Sequence, residues 1–408
     1  MPFYQYWFSK ELRGEADSTE RFPAQPEIER YLSHVCDKFD LRRHITFGAR
    51  VQAQFIVFNT GGLSEPEFPN IPGRETFQGA CYHTSRWPKD AIELKGKRAG
   101  VVGTAATGIQ VVQTIAADVA RLTVFQRTPN YAVPIKNPRI TDADLANMRA
   151  SREDLHVRAH QSLGGFVFDD EAPMFDDAPP EQREAHLRKL MPTTCEFGTR
   201  RLPLEHGYFD VFNRDNVELV DLREDAVQSI DATGVRTAAR YFDLDVIIFA
   251  TGFDAGVGSL NRIDVRGNGG VSLKQEWDAR LRTTVGMQVH GFPNLFMTMA
   301  PFAPASAICN APVCVDQQMD WICQAIRFVR REHAKPIEPT AATENAWMPH
   351  HEAISEPTLL GQNRNCWYRR EGADGTKREL LAYMGGLAQY REACDAMRNS
   401  DLAGFEVR

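Results

Sequence analysis

The chain is poor in several features that would each have named a function class. No apolar run approaches the roughly 18 residues of a membrane-spanning helix, so no membrane partner is expected. Its 47 Lys and Arg are outnumbered by 54 Asp and Glu, for a net charge of -7. That balance argues against nucleic acid or an anionic lipid surface as the main partner. Cys36, Cys81, Cys195, Cys309, Cys314, Cys323, Cys366 and Cys394 are scattered, with no CxxC pair. They read as reduced thiols, and no metal site is expected. His156-Val-Arg-Ala-His160 places two imidazoles on one helical face but lacks the glutamate of H-E-x-x-H; G-x-S-x-G and the P-loop are absent too. The first residues, Met1-Pro-Phe-Tyr-Gln-Tyr-Trp-Phe, lack a basic start and a small-residue cleavage site, and read as the middle of a fold. A cytoplasmic location follows as the expectation, and oligomeric state is left open.

What is present is an ordinary globular composition, 43% hydrophobic and 25% charged, over 408 residues. That length allows two or three domains with a sizeable core. Apolar residues at helical spacing after Pro23 and Pro26 predict an amphipathic helix ending near Phe39. Phe55–Phe58 reads as a short strand leading to the turn Asn59-Thr-Gly-Gly62. Lys97–Val102 and Leu122–Phe125 read as strands flanking a helix that runs to about Asp118, a β-α-β unit of about 30 residues. Beyond Asp142 the chain turns polar and helical, broken at Gly164-Gly165. The acidic, proline-bearing run from Asp169 to Pro180 reads as a loop or linker. Asp245–Phe249 reads as a buried strand, a long helix is expected near Asp316–Arg331, and a further helix around Gln389–Arg398.

Within the β-α-β unit, Gly103-Thr-Ala105-Ala-Thr-Gly108 follows a strand and opens a helix, the context a dinucleotide fingerprint requires. Gly103 permits the tight turn, and Gly108 lets helix and strand pack closely. Free N–H groups at the helix start, at its positive dipole end, would hold a pyrophosphate. The usual middle glycine is Ala105. Arg127 stands at the end of the second strand, where an acid would bond a ribose 2′-hydroxyl and a guanidinium suits a 2′-phosphate. NADPH is therefore expected over NADH. The bland alternatives are a glycine turn in a nucleotide-free α/β domain and an exposed arginine at a strand end.

Upstream of that turn stands Phe77-Gln-Gly79-Ala-Cys-Tyr-His83-Thr-Ser-Arg-Trp87-Pro88. Its spacing, F-x-G-x-x-x-H-x-x-x-W-P, resembles the fingerprint of class I Baeyer–Villiger monooxygenases, flavoenzymes that convert ketones into esters or lactones. Tyr4–Ser9, Gln25–Ile28, Gly103–Gly108, Phe125–Pro129, Ala250–Asp254, Gly291–Phe296 and Leu402–Phe405 are similar to further segments of that family, in the same order. The resemblance implies an α/β, two-dinucleotide-binding-domain flavoprotein fold with Rossmann-like FAD and NADP domains. It implies NADPH and FAD as cofactors, with a small-molecule ketone and O2 as substrates. By the same resemblance Arg201 is the active-site arginine, and Arg200 helps hold the 2′-phosphate. Trp367 approaches the nicotinamide, and His83 belongs to a conformational linker with Phe77, Gly79, Trp87 and Pro88. The expected cofactor-binding set is Gly103, Thr104, Ala105, Thr107, Gly108, Gln110, Arg127, Thr128, Arg200 and Trp367.

The family binds FAD with a GxGxxG of its own, and no strand–GxGxxG–helix precedes Tyr4. The FAD domain is therefore expected to be incomplete. The first strand of a doubly wound sheet lies centrally, so its loss leaves neighbours such as Phe55–Phe58 with an unpaired edge. Shortening is also read between Arg50 and Phe55 and around Ala172–Arg188, and Ala300-Pro301 stands where the family has Gly-Pro. The expected division is 1–92 for the remainder of the FAD domain and linker, 93–255 for the NADP domain with a shortened helical insertion, and 256–408 for the C-terminal part of the FAD domain. Two alternatives to the ketone-oxidising enzyme stand beside it: a non-catalytic NADP-binding remnant, and a related flavin monooxygenase acting on sulfur or nitrogen.

Overall fold

The computed structural model describes residues 4–15, 17–167, 199–304, 309–334, 336–363, 368–371 and 378–408. Trp367, the run from Asp169 to Pro180 and the shortened stretch Ala172–Arg188 lie outside them. The described residues fall into two compact units. One draws on Leu63–Ile135 and Pro173–Gly258, the other on Met1–Gly62, Lys136–Ala172 and Ser259–Arg408. This differs from the division at 92 and 255. Residues 63–92 fall in the first unit, and the described residues 136–167 in the other.

The first unit is built on five parallel strands, β1 (Ala80–His83), β2 (Arg98–Val102), β3 (Arg121–Gln126), β4 (Val217–Asp221) and β5 (Val246–Phe249), in the order β1-β5-β2-β3-β4. Each inner strand is apolar on both faces, as a doubly covered parallel sheet demands. Ala99, Val101, Leu122, Val124 and Ile248 point to one side, where helix α1 (Ala106–Ile115) lays Ile109, Val112 and Ile115 on them. Val102, Phe125, Ile247 and Phe249 point to the other. There the antiparallel meander Val227–Ile230, Gly234–Thr237 and Tyr241–Asp243 covers them with Ile230, Val235 and Phe242. Gly100 leaves room on this side, where a Cβ would lie 2.7 Å from a Leu244 methyl and 3.2 Å from the Phe125 ring. Ahead of β5, Asp245 accepts from the Arg98 backbone N–H at 2.8 Å and from its guanidinium at 2.8 and 3.2 Å, which fixes the relative start of the two central strands.

The second unit is mainly helical. Gln25–Lys38 is a helix with Pro26 in its first turn and Tyr31 and Val35 buried, as the spacing predicted. Helix α2 (Arg152–Gln161), α3 (Ala311–Arg331) and α4 (Gly386–Asn399) pack around a core holding Trp7, Ala159, Val313, Cys314 and Leu387. Helix α3 starts earlier than Asp316, with Pro312 fitting its first turn. Ile56–Phe58 pairs in parallel with Leu295–Met297 as a two-stranded sheet. Ile56 is 49% exposed, and among the described residues the strand is paired on one side only, in line with the expected unpaired edge. Cys309 and Cys314 are also a correction. Helix α3 brings their sulfurs together as a disulfide with Cα atoms 6.7 Å apart, while Cys36, Cys81, Cys323 and Cys394 are free. Among the described residues no helix is long and apolar enough to cross a membrane.

Candidate functional site

In the strand order β1-β5-β2-β3-β4 all strands run the same way, but the order in which they are added reverses between β5 and β2, and that is where open α/β sheets bind ligands, beyond the strand C-termini. Gly103 leaves β2 there with φ 105°, a region that favours glycine. A side chain at Gly103 would also place its Cβ 2.6 Å from the Ala250 carbonyl oxygen, just past β5. Gly108 is equally constrained, since its Cβ would meet the Gly103 carbonyl oxygen at 2.1 Å. Both glycines of the turn are therefore set by backbone-to-backbone contact. Ala105 adopts an ordinary extended conformation at the N-cap of α1 and is exposed. It offers no side-chain cap, so the orphan N–H groups of the first turn, including that of Thr107, are left for an anionic ligand.

Thr104 is buried, and its hydroxyl lies 3.2 Å from both Gln126 Oε1 and the Thr128 carbonyl oxygen. It pins the turn to the end of β3 and so brings Arg127 and Thr128 beside Gly103. Arg127 is exposed, and no acidic side chain pairs with it among the described residues. Gln110 lies on the exposed side of α1. Asn130, just beyond, donates from Nδ2 to the Arg201 carbonyl oxygen at 3.5 Å, and Val133-Pro134 pairs in parallel with Leu204-Glu205. The segment carrying half-buried Arg200 and exposed Arg201 is thereby tied alongside the chain that leaves β3.

The fingerprint forms the outer strand of this same sheet. Gly79 has no side chain because a Cβ would strike the Asp245 carbonyl oxygen and the Phe77 ring, each at 2.5 Å; Phe77 thus folds across it. His83 ends β1, 3% exposed, with Phe68 and Phe253 against its ring at 4.8 and 6.2 Å. Burial pushes its pKa below the usual value, so the ring is neutral at pH 7. Its Nδ1 accepts from the Ser85 backbone N–H at 3.2 Å, which puts the proton on Nε2, 3.4 Å from Thr251 Oγ1. Thr251 in turn donates to the Glu67 carbonyl oxygen at 2.6 Å. Thus His83 couples the outer strand to the turn after β5. Trp87 is 40% exposed and touches Tyr82 ring to ring at 5.9 Å; Pro88 is half-buried. Thr251, Glu67 and Phe68 escape single-sequence reading, although the Ala250–Asp254 turn pointed to their neighbourhood.

A parallel sheet that opens a glycine turn at its switch point defines a dinucleotide-binding protein. No family model matches the chain. It is 37% identical to an acetone monooxygenase (methyl acetate-forming) of Gordonia sp. strain TY-5, over 99% of this chain and 89% of that protein. It is 29% identical to a Baeyer–Villiger monooxygenase of Pseudooceanicola batsensis, over 97% and 84% of the two chains. Among solved structures, OTEMO in complex with FAD and NADP superposes with a TM-score of 0.90 and 31% identity, covering all of this chain and 89% of that one. The chain belongs to the Baeyer–Villiger monooxygenase family.

The residues at the switch point fit an NADP dinucleotide, with a glycine-gated turn, an uncapped helix start and a free guanidinium at the next strand end. FAD is different. Among the described residues no second parallel strand passes through a glycine turn into a helix of comparable length, so they do not supply a second cradle of this kind. The alignment with the acetone monooxygenase runs over 474 residues, more than the 408 of this chain. Stretches of that relative therefore have no counterpart here.

Proposed function

We propose that this chain is an NADPH- and FAD-dependent monooxygenase of the Baeyer–Villiger type, inserting one oxygen atom of O2 next to a small ketone's carbonyl to give an ester or lactone. The observation that carries the reading is near-complete alignment with a relative named for oxidising a ketone to an ester. The nicotinamide, when bound, supplies a hydride. The chain's own residues supply binding and orientation. Gly103, Gly108 and the N–H groups of α1 cradle the pyrophosphate, Thr104 and Thr128 hold the turn against the strand end, and Arg127 with Arg200 takes the 2′-phosphate. Arg201 contributes a guanidinium that stabilises negative charge as it develops on oxygen. We place the enzyme in the cytoplasm, the compartment that supplies the reduced nicotinamide.

The test is direct. The purified chain is inspected for the yellow absorption of bound flavin, and NADPH consumption is followed with acetone and cyclohexanone while ester or lactone is measured. Ketone-stimulated consumption with matching product, lost in Arg201→Ala, is the expected result. Colourless protein that binds NADPH yet retains no added FAD would overturn the reading in favour of a non-catalytic NADP-binding protein. Product from thioethers or amines but not ketones would move the activity to sulfur or nitrogen.

A further inference from the structure

The helical unit contains a cavity of about 270 Å³ between the N-terminal segment and helices α2, α3 and α4, none of it made by the residues assigned above to nucleotide or ketone. Its wall holds polar atoms that are buried and have no hydrogen-bond partner: Trp7 Nε1, His156 Nδ1, Arg391 Nε and both amide atoms of Gln317. Trp7 is 1% exposed and Gln317 8%. Polar groups this deep are rarely left without partners, so their collection around one space calls for an occupant.

Apart from Gln317 Oε1, the unmet groups are donors. Trp7 is held by its main chain, whose N–H donates to Asp316 Oδ2 at 2.8 Å and whose carbonyl accepts from Arg13 at 2.7 and 2.9 Å. That leaves the indole N–H unused. His156 has its pKa pushed down to about 4 by burial and by neighbouring His160 and Arg13, so its ring is neutral. Arg13 approaches His156 Nε2 at 3.3 Å and can only donate, which leaves the proton on Nδ1, the atom without a partner. Arg391 brings a further N–H and a positive charge. The acidic groups of the wall are already engaged or at its mouth. Asp316 accepts from Trp7, Asp395 pairs with Arg398 at 3.1 Å, and Asp320 is exposed. A cation would find Gln317 Oε1 as its one acceptor among these unmet groups, whereas an oxyanion meets Trp7, His156, Arg391 and the Gln317 amide N–H.

We propose that this cavity is a binding site for a small monocarboxylate with a flat apolar body, the carboxylate taking the four unmet donors and the body lying against the rings of Trp7 and Trp321. The volume suffices, since a cavity of about 150 Å³ already holds benzene.

Benzoate is the probe. Titrated into the full chain, it is expected to saturate one site, read by calorimetry and by the fluorescence of the wall tryptophans, with an affinity unaffected by saturating NADP⁺. Benzamide, of the same shape but uncharged, should bind at least about tenfold more weakly, the loss of one charge-assisted hydrogen bond. Arg391→Gln and Trp7→Phe should each weaken benzoate by a similar factor while melting within about 2 °C of the parent. Absence of saturable binding, equal binding of benzoate and benzamide, or unchanged affinity in a variant that melts like the parent overturns the proposal. Should either variant fail to fold, the benzoate and benzamide comparison on the unaltered chain decides alone.

Discussion

Gly108→Ala is the sharpest test of the nucleotide turn. The added Cβ would lie 2.1 Å from the Gly103 carbonyl oxygen and 2.9 Å from its carbonyl carbon. An ordinary carbon–oxygen contact is longer by about 1 Å, and the opposing atom is backbone, so no rotamer change relieves the overlap. Overpacking of this kind costs about 1–3 kcal/mol. Alanine's helix preference over glycine returns about 1 kcal/mol, since Gly108 lies in α1. The net expectation is a loss of about 0–2 kcal/mol, lowering the melting temperature by up to roughly 8 °C at the 2–4 °C per kcal/mol typical of units this size. The larger effect falls on binding. Relief requires the helix start to move away from Gly103, pulling the first-turn N–H groups from the phosphates, so the NADPH dissociation constant should rise about tenfold or more. Thr114→Ala, exposed on the same helix, serves as the control. A Gly108→Ala protein that melts with the parent and binds NADPH within twofold of it would refute this packing of turn on helix.

Arg127→Ala should raise the NADPH dissociation constant about tenfold or more and leave NADH binding unchanged, because only the former carries a 2′-phosphate; equal losses for both would remove Arg127 from that role. Hydrogen bonds from Arg98 hold the Asp245 carboxyl down at about 2, against an ordinary 3.8. A depressed carboxylate stabilises the fold above its unfolded value and stops doing so as pH falls through the folded one. The melting temperature of the parent should therefore exceed that of Asp245→Asn at pH 7, with the gap narrowing from about pH 4 towards pH 2. Asp316 has the opposite sign. Burial, reinforced by Asp320, lifts its pKa from 3.8 to about 7, so the folded state holds a proton that the unfolded state releases, and stability falls as pH rises from about 4 to 7. Asp316→Asn, still able to accept from the Trp7 N–H, should melt with the parent near pH 4 and above it at pH 8; a lower melting temperature at pH 8 would mean that the ionised carboxylate is stabilising.

The nucleotide unit was largely legible from residue order. Strands with near-continuous apolar character at 98–102, 121–126 and 246–249 lie within a residue or so of their expected bounds, because a parallel strand buried on both faces leaves no doubt about its pattern. The glycine turn was legible for the same reason, since Gly103 and Gly108 answer to local backbone geometry. Thr104 shows the limit. Its position in the motif suggested cofactor contact, yet its hydroxyl reaches Gln126 and Thr128, partners that adjoin it only once β3 lies beside β2. His83 is similar: the fingerprint marks it, but Thr251 lies 168 positions away in sequence. Ile56 and Val57 carry the residues of a buried strand and stand partly in solvent, because burial depends on a neighbour that strand propensity does not report.

The fingerprint itself changes meaning in three dimensions. Read along the chain, Phe77–Pro88 lies before the nucleotide unit and belongs to a linker. In the fold, Ala80–His83 pairs residue for residue with Val246–Phe249, so it is an integral strand of the nucleotide sheet. Pairing there needs a strand whose first residues come close to the Asp245 backbone, which Gly79 permits and any larger residue blocks. It also needs a polar residue at the C-terminal end that can reach the turn after β5 while its neighbours stay apolar, which neutral His83 provides through Thr251. Glycine and histidine four positions apart are thus two halves of one requirement, the docking of an outer strand against β5. The turn they brace is the one whose Ala250 carbonyl packs against Gly103. A motif that sequence reads as a connection between domains therefore acts, within this unit, on the same switch point that receives the nucleotide.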